Sequence, residues 1–84
     1  MISAEERKAL KKDLGYNYAP RVIRILNEKG LKNSRGNEYS TNSIRQIFNG
    51  YDENLDIELA IYQLRDDIRE KKAALQKARA ASHS

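Results

Sequence analysis

Apolar side chains recur along this chain at intervals of three and four, the spacing of helices. The first helix is predicted over Ala4–Asp13. Ser3 and Glu6 have the S-x-x-E spacing of a capping box, Leu10 and Leu14 stand one turn apart, and Gly15 follows as the terminator. A second helix is predicted over Ala19–Lys29, with Pro20 in its first turn and Gly30 just past its end. Its apolar face is read as Ala19, Val22, Ile23 and Leu26, with Ile25 beside it; Arg21, Arg24 and Glu28 take the polar side. Residues 31–39 hold the turn formers Asn33, Ser34, Gly36 and Asn37, and read as a loop with room for a very short hairpin. Leu31 and Tyr39 bracket that loop and are expected to pin its ends.

A third helix is predicted over Thr41–Asn49. Ser40 is its N-cap, Gly50 its terminator, and Ile44, Ile47 and Phe48 its narrow apolar stripe. After the turn 51–54, with Asn54 as a cap, a long helix is predicted from Leu55 to about residue 80. Ile57, Ile61, Leu64, Ile68, Leu75 and Ala78 keep a 4-3 spacing along it, interrupted by Lys71, and Leu59, Ala60 and Tyr62 are expected to add contacts. The stretch REKKAALQKARAA is rich in helix formers and poor in large apolar groups. The expected fold is all-α: a helix-turn-helix bundle of three short helices plus a long C-terminal helix. Residues 1–68 form the domain, and 69–84 a basic extension that is helical or frayed.

With 84 residues the chain holds one domain with a small core, and without Cys it has no disulfide or thiolate metal site to supplement that core. The start, MISAEERKALKK, lacks the apolar run of a signal peptide, and no stretch has the roughly 20 apolar residues that span a bilayer. A soluble, cytoplasmic protein is expected.

The distribution of charge says more than the net +4. Residues 16–50 carry six basic and two acidic groups, 51–68 one basic and six acidic, and 69–84 five basic and one acidic. The middle basic block is where a polyanion is expected to dock, with the acidic block turned away.

With Ile44, Ile47 and Phe48 committed inward, the third helix leaves Asn42, Ser43, Arg45, Gln46 and Asn49 outward. These are base-reading residue types: Arg pairs with guanine O6 and N7, and Asn or Gln with adenine N6 and N7. An ordinary solvated helix face mixes Glu with Lys, whereas this one carries no carboxylate. Ser40 and Thr41 at the helix start, Arg21 and Arg24 on the second helix, and Lys32 and Arg35 on the loop are the candidate phosphate contacts.

Other chemistry finds little support. Asp66 and Asp67 are adjacent on a helix and diverge; the sole His, His83, is read as an unstructured terminal residue; metal-ligand spacings and phosphate-binding glycine motifs are absent. The five Tyr are dispersed, with Tyr16, Tyr18 and Tyr39 expected at the core rim, so a stacking surface for single-stranded RNA is not indicated. No catalysis, cofactor, metal or small-molecule substrate is expected.

The stretch VIRILNEKGLKNSRGNEYSTNSIRQIF resembles the helix-turn-helix segment of phage-type serine recombinase DNA-binding regions: a helix ending L-N-x-x-G, a Gly-containing loop, an aromatic-Ser step and a second helix. SIRQIFNG, followed by an acidic turn and IELAIYQL, is also similar to small Cro-type phage repressors. The resemblance covers about residues 18–65. Its nine-residue connection is longer than the usual turn of about three or four residues. It implies binding to double-stranded DNA without recombination, in a phage or mobile-element transcriptional regulator. A single copy offers little surface, so a homodimer on a two-fold site is expected, with the long helix as dimer element. The competing reading is a protein–protein module, an antirepressor or adaptor, acting through the acidic helix start and the helical tail.

Overall fold

A computed structural model describes residues 1–82. It is all-helical: α1 Ala4–Leu14, α2 Tyr18–Glu28, α3 Thr41–Phe48 and α4 Leu55–Ser82. Among the described residues there is no strand. His83 lies outside them.

Local chemistry marks most of the helix ends. Ser3 and Glu6 form a reciprocal capping box on α1. Ser40 accepts the Ser43 amide at the start of α3, and the Asn54 side chain accepts the Ile57 amide at the start of α4. α2 and α3 close in the same way, on Gly30 (φ +70°) and Gly50 (φ +78°). The Gly30 and Leu31 amides return to the carbonyls of Asn27 and Leu26, and those of Gly50 and Tyr51 to Ile47 and Gln46. This paired closure needs a left-handed residue, which glycine supplies without a Cβ penalty. At Gly50 a Cβ would also meet the Ile2 carbonyl oxygen at 2.9 Å.

The three short helices pack on the first half of α4, and α2 also packs on α3. Val22, Leu26, Ile44, Ile57, Ala60 and Ile61 are fully enclosed. Leu10, Leu14, Ala19 and Ile2 complete the floor, and Tyr18 lies on Phe48 with ring centroids 4.5 Å apart. The ring geometry is tilted, as aromatic quadrupoles prefer.

Several details differ from the sequence reading. On α2, Ile25 is buried and Ile23 only half-buried, the reverse of the expected order. In the run VIRIL every apolar residue lies within one turn of another, so periodicity cannot choose between them; the position of α4 does. Leu59 makes no core contact and is 64% exposed, because it stands on the side of α4 opposite Ile57 and Ile61. Tyr16 is not at the core rim: it is 91% exposed, with the Lys11 ammonium 5.7 Å from its ring centroid. The 31–39 segment forms no hairpin strands. Asn33 instead folds it on itself, its side chain accepting the amides of Arg35 and Asn37. The basic stretch after Ile68 continues α4 as helix to Ser82, exposed from Arg69 through Ala81. That projection sets the longest dimension of the molecule, 54 Å.

Candidate nucleic-acid interface

α3 is a short helix held at every point that matters for its orientation. Ile44, Ile47 and Phe48 are each at most 4% exposed. Its start is fixed by Ser40, whose hydroxyl also lies 3.0 Å from that of Ser43. At its end, the Arg7 guanidinium donates to the Asn49 carbonyl oxygen at 2.6 Å. This cation meets the negative pole of the helix and ties it to α1. Arg7 was not among the sequence-predicted residues. It lies 42 positions from Asn49, and no local pattern links the two.

With about 100° per residue, Arg45, Asn49, Asn42 and Gln46 fall in order across an arc of about 100°, opposite the buried stripe. Asn42, Arg45 and Gln46 are exposed along this arc, while Asn49 is half-buried at the C-cap. Ser43 is half-buried and engaged in the cap with Ser40, off to one side. The five predicted base readers therefore separate into three free to reach outward and two with structural duties. The face has no carboxylate. The nearest acid before it is Glu38, whose carboxylate accepts from the Asn27 amide and so bridges α2 to the loop. Arg45 also acts on Tyr18: burial raises the phenol pKa of Tyr18, and the Arg45 charge partly offsets that rise.

The predicted phosphate contacts also divide. Ser40 and Thr41 are exposed at the start of α3, where first-turn amides lack intrahelical partners. Lys32 and Arg35 are exposed on the loop, whose backbone Asn33 organises. Arg21 and Arg24 are exposed too, but they line a groove between α2 and α4 together with Glu28, Asp67 and Lys71. Asn27 marks the side of α2 nearest the loop, and helical geometry places Arg24 about 60° and Arg21 about 120° away from it. These two arginines thus join the basic part of α4 rather than the α3 face.

Tyr62 is a perturbed group at the contact between α1 and α4. Its hydroxyl donates to a Glu6 carboxylate oxygen, and Arg65 lies 4.8 Å over its ring. Burial first, and the Glu6 carboxylate second, push its pKa from 10 up to about 12. The same hydrogen bond, with help from Ser3, lowers that of Glu6. This contact links α1 to α4 and adjoins no nucleophile. Among the described residues no group of His, Cys, Asp and Glu side chains could hold a metal ion, and no helix is long and apolar enough to cross a membrane. No family model matches the chain, and comparison with characterised proteins and with solved structures gives no match.

Proposed function

We propose that the chain binds duplex DNA sequence-specifically, presenting α3 to the major groove. One observation carries this reading: Asn42, Arg45 and Gln46 stand exposed on a carboxylate-free face whose reverse side is locked into the core. A helix held in this way loses little backbone freedom on binding, so the cost is confined to ordering its exposed side chains. Arg45 reads guanine, and Asn42 and Gln46 read adenine. Ser40, Thr41, Lys32 and Arg35 contact phosphates on either side and set the register. Binding involves no catalytic step. The resemblance of residues 18–65 to phage-type helix-turn-helix proteins supports a role as a cytoplasmic transcriptional regulator of that kind, acting as a homodimer on a two-fold site.

Selection from a random duplex library tests this directly. A two-fold symmetric motif is the expected product, with affinity for it falling steeply as salt rises. Arg45→Ala should weaken binding about tenfold to a hundredfold and relax preference at one base position. Lys32→Ala should weaken all sequences alike and flatten the salt dependence. Failure to recover any motif at moderate salt would overturn the proposal and favour the protein-binding alternative.

A further inference from the structure

α4 carries two apolar patterns on opposite sides. The first, Ile57, Ile61, Leu64 and Ile68, is buried against the short helices. The second begins with Leu55 and Leu59, which are 71% and 64% exposed, and the half-buried Tyr62. Continued at the same 4-3 spacing it passes through Asp66, Arg69, Ala73, Gln76 and Ala80. Helical geometry puts Leu55, Leu59 and Asp66 about 170° from the first stripe, on the solvent side of α4, while Tyr62 and Arg69 lie on its α1 flank, where they bond Glu6 and Asp13. Apolar side chains at 4-3 spacing make the seam of a coiled coil, and Leu55, Leu59, Ala73 and Ala80 supply them here, with Asp66, Arg69 and Gln76 as polar positions between.

The charge on α4 is sharply divided. Residues 55–67 carry four acidic groups and one basic, whereas 68–82 carry five basic and one acidic. A second copy laid parallel would set acid on acid and base on base. Laid antiparallel, it sets each acidic half on a basic half and also opposes the two helix dipoles. The side chains match in size in that register. Leu55 comes opposite Ala80 and Tyr62 opposite Ala73, large against small; Leu59 meets Gln76, and Asp66 meets Arg69. Within the single chain Asp66 pairs with Arg65 and Arg69 with Asp13, each at 2.8 Å, yet they remain 59% and 57% exposed, so a partner's charge adds to pairs already formed.

We infer that the solvent face of α4 is a dimer interface, on which a second copy of the chain packs antiparallel about a two-fold axis near residues 67 and 68. The bundle of each copy then lies on the outer side of its own α4, and the two α3 helices stand at opposite ends of the pair. Two large exposed apolar groups per copy, Leu55 and Leu59, make this a reversible association, on the order of micromolar or weaker. The pairing does not rest on DNA binding.

Sedimentation of the full chain without DNA tests it. The expected result is a monomer–dimer equilibrium, weakened about a hundredfold by Leu55→Ser with Leu59→Ser. Both leucines are exposed, so the double variant should keep its helicity and its cooperative melt. The chain has no Cys, so introduced thiols report orientation. Leu59→Cys with Gln76→Cys, about 25 Å apart along one helix, should give a disulfide-linked dimer, and neither alone should. A chain monomeric at every loading concentration, a dimer indifferent to the leucine changes, or cross-linking by Leu59→Cys alone would each overturn the inference. A dimer of this geometry that recovers no DNA motif would overturn the DNA reading and leave this one intact.

Discussion

α3 and the last turns of α4 both offer solvent a largely polar helical surface, but they are held very differently. α3 spans only Thr41–Phe48, yet three buried anchors, a capped start and a cation at its end fix it. The α4 tail is longer, is exposed at every residue from Arg69 to Ala81, and has Leu75 half exposed as its only large apolar group. Isolated helices of this length are marginal, so α3 owes its existence to the core and the tail owes its own to propensity and continuity with α4. A surface that must meet a partner in one geometry is built on the first kind of element. The second kind gains its definition when a partner arrives.

The sharpest way to break this contrast is in the anchors. Ile44→Ala, at a fully enclosed site, should cost about 2–5 kcal/mol in urea denaturation, while Leu75→Ala should cost less than about 1 kcal/mol. Equal losses would mean that the tail is packed as firmly as α3. Glycine and alanine exchanges sharpen the same point. Gly50→Ala forces a side chain into a positive-φ site against the Ile2 carbonyl and should cost about 1–3 kcal/mol. Ala73→Gly in the tail should cost at most about 1 kcal/mol, seen as local fraying in amide exchange rather than as a lower midpoint. Next in size is the cap: Ser40→Ala should lose about 1 kcal/mol and loosen the first turn of α3.

The smallest effect is on pH, and it separates the two halves of α4. Glu6 is held below its ordinary 4.5, so its contribution is present above that value and is lost as pH falls through the folded-state pKa. Tyr62, raised to about 12, contributes below pH 10 and loses that contribution as pH rises toward 12. Thermal melts across both limits should show these two declines. Glu6→Gln should flatten the acid one, and tail helicity should follow neither, since the Glu6–Tyr62 contact joins α1 to the first half of α4 only.

Much of this architecture is legible in the sequence. Ser3 with Glu6, Ser40, Asn54, Gly30 and Gly50 mark helix ends through bonds that span five residues or fewer, so sequence neighbours suffice to read them. The stripe Ile44, Ile47, Phe48 likewise fixed which side of α3 turns outward, and with it Asn42, Arg45 and Gln46. The half-buried state of Ser43 and Asn49 was less accessible, since each helix end recruits the side chains or carbonyls nearest to it.

By itself, then, the sequence determined the all-helical class, the four elements and the polar face of α3, because caps and periodicity act over one turn. Only the tertiary structure decided which flank of each helix a neighbour covers. It buried Ile25 ahead of Ile23, left Leu55 and Leu59 outside, turned Arg21 and Arg24 toward α4, and brought Arg7 to the end of α3. Those outcomes depend on packing between segments tens of residues apart, where no local interaction carries the information.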